Sequence, residues 1–287
     1  MTKDITDKIL NKLTKQEEEE GKLPLLLEFY YRLLRAQIKA HKPKTPTGLR
    51  LSNQAIQQHM LNGIPLVTFD DLDIDWPSVQ STFVKVINVF ARYPEIFGEI
   101  PKGLKKSDAG RLLTKRIAKT WFTGKELPPA ILDGVNKNLM ETIIQATLHP
   151  FLADYSQALI NSVDQDNWRR EYCPICGGNP DMAFLEKEYG ARWLLCSRCD
   201  FQWLFQRLAC HCCGNREQKS LSFFTDEAEQ YRLYVCEQCK SYLKAIDLRK
   251  TENEVLLPLE RFNTIDLDSQ AKEYGYRPCQ KPAVKRE

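Results

Sequence analysis

The stretch Cys173-Pro-Ile-Cys176-Gly-Gly is the first of four Cys-x-x-Cys units that decide the fold of this chain. The other three follow in order: Cys196-Ser-Arg-Cys199, Cys210-His-Cys-Cys213 and Cys236-Glu-Gln-Cys239. Two cysteines separated by two residues can wrap a tight knuckle that presents both thiolates to one metal ion. A tetrahedral site needs two knuckles, so the four units predict two metal sites.

The gaps between the units predict which knuckles share an ion. Nineteen residues lie between the first and second units, twenty-two between the third and fourth, and only ten between the second and third. A long gap accommodates a strand, a turn and a second strand that return the chain to the same ion. We therefore expect the first unit to pair with the second and the third with the fourth, as a degenerate internal repeat. An interleaved pairing is the alternative.

The predicted metal ligands are the eight outer cysteines of the knuckles: Cys173, Cys176, Cys196, Cys199, Cys210, Cys213, Cys236 and Cys239. Four thiolates suit Zn²⁺ and a single iron ion equally well, whereas a [4Fe–4S] cluster usually draws on more closely spaced cysteines. A redox dithiol is a competing interpretation, but such motifs come singly on a βαβ scaffold. Cys212 and His211 are alternative ligands that knuckle geometry disfavours, and Cys279 is expected to be a free thiol.

Composition is that of a globular chain in a reducing compartment. The 287 residues are 43% hydrophobic and 10% aromatic, which is enough for a packed core. The net charge of +3 gives no case for nucleic acid or an anionic membrane. No run approaches the roughly 20 apolar residues that a bilayer span needs, and the charged N-terminus lacks the apolar region of a signal peptide. We therefore expect a cytoplasmic location, where thiols stay reduced.

Hydrophobic periodicity changes near residue 167. Before it, helical spacing predicts helices over 23–41, from Trp76 to just before Pro94, over 110–122, and from Pro128 onward with a break at Pro150. After it, short aromatic and aliphatic segments between the knuckles predict β-strands. The expected fold class is α+β: a helical domain over 1–166, a first four-cysteine ribbon over 167–208 and a second over 209–250. The tail, 251–287, is expected to carry one short helix over 267–274 and to be poorly ordered after it.

No catalytic residue can be assigned, so we expect a protein that is not an enzyme. The sequence lacks a Gly-rich phosphate loop, a Gly-x-Ser-x-Gly elbow and a His-Glu-x-x-His motif, and four thiolates close a metal site. A nucleic-acid-binding zinc ribbon is one alternative function, because aromatic and basic residues interleave on the predicted strands: Arg192, Trp193, Trp203, Phe205 and Arg207. The competing interpretation, which we favour, is that these aromatic side chains fill the small ribbon cores.

The residues around the first knuckle resemble a known family. The stretch from Trp168 to Gly178, Trp-Arg-Arg-Glu-Tyr-Cys-Pro-Ile-Cys-Gly-Gly, resembles the opening of the metal region in formate dehydrogenase accessory proteins of the FdhE type. The order of the other three Cys-x-x-Cys units, Tyr242-Leu-Lys after the last one, and the Leu-rich segment before His149-Pro-Phe-Leu are also similar. So is the acidic loop from Ile64 to Trp76. The likeness runs over nearly the whole chain and is most specific in its metal half.

The resemblance implies a helical domain followed by two rubredoxin-like subdomains, each holding an ion thought to be iron. It implies a maturation chaperone, active in the cytoplasm, that formate dehydrogenase needs in order to become active. The expected partner is the catalytic subunit of that enzyme, and nucleic acid is not an expected partner. All eight knuckle cysteines of the family pattern are present here, whereas Cys212 and Cys279 lie outside it. A redox function for rubredoxin-type iron is a further alternative.

Overall fold

The computed structural model describes residues 3–46, 51–105, 107–132 and 134–279. The chain divides into two compact units, one formed by Met1–Leu49 and Phe69–Tyr155 and the other by Arg50–Thr68 and Ser156–Glu287. The N-terminal α and C-terminal β character predicted by the sequence is confirmed. The ten α-helices of the described residues are α1 Lys3–Glu20, α2 Leu25–Ala40, α3 Asn53–Asn62, α4 Trp76–Phe90, α5 Pro94–Phe97, α6 Lys115–Phe122, α7 Pro129–Leu132, α8 Lys137–Ala158, α9 Leu257–Asn263 and α10 Ile265–Glu273.

The first unit is helical and has an aromatic core. The ring of Phe29 on α2 lies 4.9 Å from that of Phe90 on α4 and 4.7 Å from that of Phe97 on α5, measured between centroids. The predicted start of α4 is confirmed, because Asp75 caps it by accepting a hydrogen bond from the Ser78 N–H at 3.0 Å. Helix α1 was missed by sequence reasoning, since its charged sequence buries only one narrow stripe that includes Ile9 and Leu13.

Two of the helix predictions need correction. The helix predicted over 110–122 is a 3₁₀ segment, Ser107–Leu112, followed by α6, because Thr114 accepts a hydrogen bond from the Ile117 N–H and starts the helix anew. The break predicted at Pro150 is absent, and α8 continues through it. A proline removes the N–H that would donate to the carbonyl four residues earlier, here that of Ala146.

The second unit is built on one sheet whose strands are β1 Pro180–Leu185, β2 Arg192–Cys196, β3 Gln202–Phe205, β4 Leu221–Thr225, β5 Tyr231–Cys236, β6 Ser241–Asp247 and β7 Arg277–Pro278. Strands β1 to β6 confirm the short strands predicted between the knuckles. Their order is β3-β2-β1-β6-β5-β4, and β7 pairs with β6. The sequence order of knuckle, two strands, knuckle and strand occurs twice, which is the repeat that the gaps predicted.

The two ribbons are joined through their strands. Within each ribbon the strands pair antiparallel, whereas β1 of the first ribbon pairs in parallel with β6 of the second, with Ala183 opposite Ala245. The pairing of β1 with β6 therefore places both cysteine groups on one continuous sheet. The domain limits that we placed at 166, 208 and 250 stay predictions.

The structure describes the tail as far as residue 279, and the strand β7 lies in the segment after 274 that we expected to be poorly ordered. The rest of that segment, 280–287, lies outside the described residues. The short helix predicted over 267–274 corresponds to α10, and a further helix, α9, precedes it. Lys244 of β6, only 5% exposed, donates from Nζ to the Asp268 carboxylate on α10 and to the Arg261 carbonyl on α9 at 2.8 and 2.9 Å. A buried ammonium needs such partners, so these contacts hold both helices on the sheet.

Candidate metal centres

The four knuckles share one backbone geometry. In each, the N–H of the residue that follows the second cysteine donates to the carbonyl of the first cysteine, over 2.8–3.2 Å. That residue has a positive φ of 69°, 56°, 74° or 54° in chain order: Gly177, Asp200, Gly214 and Lys240. This left-handed conformation turns the chain so that both thiols of the knuckle face the same side. Glycine adopts this conformation without strain in the first and third knuckles, whereas Asp200 and Lys240 adopt it in the other two.

The first and second knuckles form one group of four sulfurs. The Sγ atoms of Cys173 and Cys199 are 3.6 Å apart, those of Cys176 and Cys196 are 3.6 Å apart, and those of Cys176 and Cys199 are 3.5 Å apart. No member of this group is more than 1% exposed. These are the four cysteines that the gap lengths predicted to meet.

The third and fourth knuckles form the second group. The Sγ atoms of Cys210 and Cys239 are 3.7 Å apart, and those of Cys213 and Cys236 are 3.8 Å apart. Two of these cysteines, Cys213 and Cys239, are partly exposed, in contrast to the first group. Among the residues that the structure describes, these two sets of four are the ones whose side-chain geometry could hold a metal ion.

Hydrogen bonds donated by the backbone stabilise the thiolate form of the knuckle cysteines. The N–H groups of Ile175, Arg198 and Cys212 each donate to the Sγ of the first cysteine in their knuckle, at 3.4, 3.4 and 3.3 Å. In the second group, the Ser241 hydroxyl lies 3.0 Å from the Cys239 Sγ. Burial opposes ionisation of the Cys239 thiol, but hydrogen bonds with the Ser241 side chain and backbone and with the thiols of Cys213 and Cys210 outweigh it and lower the pKa of Cys239 to about 7.

The donor set fits a tetrahedral metal ion. Sulfurs that lie about 2.3 Å from one ion at the corners of a tetrahedron are about 3.8 Å from one another, which is close to the spacing found in both groups. Burial raises the pKa of Cys173 and Cys199 well above the ordinary thiol value. A cation between the sulfurs would remove that penalty by neutralising the thiolates. The number and the spacing of the sulfurs in each group therefore fit four thiolates around one cation.

A segment distant in sequence supports the first knuckle. The N–H groups of Leu66 and Val67 donate to the carbonyls of Pro174 and Ile175 at 2.8 and 2.9 Å. The Tyr172 hydroxyl also donates to the Gly63 carbonyl at 2.8 Å. Sequence reasoning treated 64–75 as an irregular acidic loop and missed this contact, because no local pattern marks a loop as the partner of a knuckle so far along the chain.

Arg261 of α9 holds the second knuckle. Its guanidinium donates to the Asp200 carboxylate at 2.5 Å and to the Cys196 carbonyl at 2.8 Å, and its Nε forms an ion pair with the Asp181 carboxylate on β1 at 2.8 Å. Asp200 is the residue of positive φ that closes the second knuckle, so its ion pair with Arg261 stabilises the turn of that knuckle. A C-terminal helix that the sequence did not predict therefore supplies part of the environment of the first cysteine group.

Cys279 corrects a further prediction. It is joined to Cys212 by a disulfide, across 67 residues of sequence, and is not a free thiol. Cys212 is consequently not placed among the four sulfurs of the second group. The signal available in the sequence was that these two cysteines are the pair left over once the eight knuckle cysteines are assigned.

The aromatic and basic residues considered as a nucleic-acid platform are mostly buried. Trp203 is fully buried, and Arg192 and Phe205 are each 3% exposed. Arg192 donates to the Gln206 and Ala209 carbonyls and lies over the Phe205 ring. Side chains engaged in this way form the ribbon core and cannot stack with bases, which agrees with the interpretation that we favoured.

Comparison with known proteins points to one family. A family model described as "FdhE, central domain" matches residues 172–207, which span the first cysteine group. A protein FdhE homolog from Aquifex aeolicus is 25% identical over 275 residues, covering 93% of this chain and 90% of that protein. One from Shewanella oneidensis is 27% identical over 136 residues, covering 46% of this chain and 45% of its own length.

The fold is also shared with a solved structure. The crystal structure of the FdhE protein from Pseudomonas aeruginosa matches with a TM-score of 0.64 and 20% identity, over 99% of this chain and 96% of that chain. The structural likeness extends over both units, and the sequence likeness to the Aquifex protein is nearly as long. The family model over 172–207 and the related sequences thus show that this chain is similar to FdhE proteins, and the solved structure shows that it has the same fold as one of them.

Proposed function

We propose that this chain is a maturation factor that binds the catalytic subunit of formate dehydrogenase in the cytoplasm and does not itself catalyse a reaction. The observation that carries the proposal is the presence of two closed four-cysteine groups on one sheet in a chain that is similar to FdhE proteins. A site with four thiolate ligands leaves no open position for a substrate. Such groups are suited to holding a surface in a fixed shape.

The eight knuckle cysteines are the ligands of two metal ions in this proposal. Each ion would be held by four thiolates and would cross-link two knuckles, which stabilises ribbons that have small cores of their own. Iron is expected from the family resemblance and zinc is the alternative. Backbone N–H groups at the sulfurs and the ion pair between Arg261 and Asp200 orient the ligands. Iron would also permit one-electron exchange, which zinc does not.

The partner is tested by capture and by complementation. We expect the tagged chain to capture the catalytic subunit of formate dehydrogenase. In a strain whose gene for this chain is deleted, we expect the chain to restore formate dehydrogenase activity. Cys176→Ser should fail to restore activity, because it removes a buried ligand of the first group. Tyr189→Ala is the matched control, since Tyr189 is 84% exposed in a turn. Full enzyme activity without the chain, together with no capture, contradicts the proposal.

The metal is tested separately. Elemental analysis of anaerobically purified protein should give two ions per chain, falling to one in Cys176→Ser if each group binds independently. A visible spectrum of thiolate-bound iron would keep the redox alternative open, and zinc in both sites would end it. Finding less than one ion per chain in freshly purified protein argues against ligation by these cysteines.

Among the residues that the structure describes, none of the helices combines the length and the apolar character that a bilayer span requires.

A further inference from the structure

The disulfide between Cys212 and Cys279 lies beside the second cysteine group. Cys212 sits between Cys210 and Cys213 in the third knuckle, and both disulfide sulfurs belong to the cluster in which Cys210 and Cys236 are buried. Cys212 is 8% exposed, whereas Cys279 is partly exposed and reachable from solvent.

The residues before Cys279 are attached to the other knuckle of the same group. We refer to residues 275–279 as the C-terminal strap. Its strand β7 pairs with β6, and the Arg277 N–H donates to the Lys240 carbonyl at 2.9 Å. The Tyr276 hydroxyl hydrogen-bonds the Glu237 carboxylate, and the Lys240 ammonium lies 5.5 Å from the centre of the Tyr276 ring. Both Glu237 and Lys240 belong to the fourth knuckle.

The strap therefore connects the two knuckles that share the second group, covalently at the third and through hydrogen bonds at the fourth. The first group has no such disulfide among the described residues, and all four of its cysteines are buried. The second group has two partly exposed sulfurs, so its ligands depend more on the strap to stay together. Disulfides in reducing compartments are usually transient and sense redox conditions.

We propose that Cys212 and Cys279 form a thiol–disulfide redox site that controls how firmly the second cysteine group holds its metal ion. This inference rests on metal binding as proposed above. The reductant is a cellular thiol. Its thiolate attacks the Cys279 sulfur, the disulfide bond breaks, and Cys212 leaves as a thiolate that takes up a proton. A second thiol then displaces Cys279 from the mixed disulfide, so that two cysteine thiols and one disulfide of the reductant result.

Reduction leaves the strap held by non-covalent contacts alone, namely its hydrogen bonds and the packing of the Tyr276 ring. Loss of a covalent tether of this kind shifts a local opening equilibrium by about tenfold or more. The opened second group would exchange its metal ion faster, whereas the first group, to which the disulfide is not attached, would keep its own. The redox state of the cellular thiols would thus control metal exchange at the second cysteine group and not at the first.

The test compares protein oxidised with glutathione disulfide, the same protein after mild thiol reduction, and the Cys279→Ser variant. Peptide mapping by mass spectrometry without reduction should find the peptides of Cys212 and Cys279 linked only in the oxidised protein. Hydrogen exchange of the Arg277 amide should be about tenfold faster in the reduced protein and in Cys279→Ser. The rate at which one of the two metal ions is released to a chromogenic chelator should also rise about tenfold in the reduced protein and in Cys279→Ser.

Matched variants separate the tether from general damage. Cys212→Ser and the double variant Cys212→Ser/Cys279→Ser should behave as Cys279→Ser does, because each removes the same bond. Alkylation of both Cys212 and Cys279 in the oxidised protein would overturn the proposal. So would equal rates of Arg277 amide exchange and of metal release in all forms of the protein. Peptide mapping and amide exchange require neither bound metal nor formate dehydrogenase, so failure of the proposed function is read out independently.

Discussion

Asp247 illustrates how a single side chain fixes the central strand of the second unit. It is fully buried on β6, and its carboxylate accepts from the Arg232 and Arg249 guanidinium groups at 2.7 and 2.6 Å. Burial alone would raise the pKa of this carboxyl, but the hydrogen bonds and charges of Arg249 and Arg232 hold it below the ordinary value. The folded protein therefore favours the ionised form.

We expect Asp247→Asn to lower the free energy of unfolding at pH 7 by about 2–4 kcal/mol, because two arginines lose the charge that they face. The folded pKa lies below the unfolded value of about 3.9, so the stabilisation is present above that pH and is lost as the pH falls through the folded pKa. The difference between wild type and variant should therefore shrink below about pH 4. Urea unfolding between pH 3 and pH 7 measures it.

The control is Glu229→Gln, which removes an exposed partner of Lys250. An exposed ion pair contributes little, so this variant should change stability by less than about 1 kcal/mol. A pH-independent effect of Asp247→Asn would show that packing, and not charge, accounts for its role.

At the scale of an element, α8 shows how a helix passes through a proline. Pro150 leaves the Ala146 carbonyl without its usual donor. The side-chain amide of Gln37 on α2, itself 6% exposed, donates to that carbonyl at 2.6 Å. A tertiary hydrogen bond thus replaces the missing one within the helix, which is why the break predicted from the sequence does not occur.

Replacing Gln37 by Leu should lower the free energy of unfolding by about 1–3 kcal/mol, because the partly buried Ala146 carbonyl loses its partner. The measurement is urea unfolding followed by helical circular dichroism. In the Pro150→Ala background the residue at 150 regains an N–H, so the same Gln37→Leu change should cost less. Equal costs in both backgrounds would contradict the account, since the double-mutant cycle isolates this coupling.

At the scale of the whole molecule, the two units are stabilised by different means. The helical unit has its own aromatic core, around Phe29 and Phe90, whereas both cysteine groups lie in the second unit. We expect metal removal by a chelator to abolish hydrogen-exchange protection in β1 to β6, because the cross-links between knuckles are lost. Protection in α2 and α4 should persist. Simultaneous loss of protection in both units would contradict this expectation.

Much of the second unit was predictable from residue spacing. Knuckles depend on cysteines three positions apart, and the strands between them are short runs of aromatic and aliphatic residues, so both can be recognised in short stretches of sequence. The pairing of knuckles followed from gap lengths alone. The start of α4 was equally local, since Asp75 and Pro77 mark it. The helix over 110–122 was misjudged because the cap at Thr114 outweighs the continuous apolar pattern.

The sequence by itself determined the fold class, the strands and the membership of each cysteine group. Tertiary structure alone decided that β1 and β6 join the two ribbons, that Arg261 holds a knuckle, and that Gln37 allows α8 to continue. It also decided that Cys212 meets Cys279. The physical reason is distance along the chain: these partners lie tens of residues apart or more, and their contact depends on the path of the folded backbone, which no local periodicity encodes.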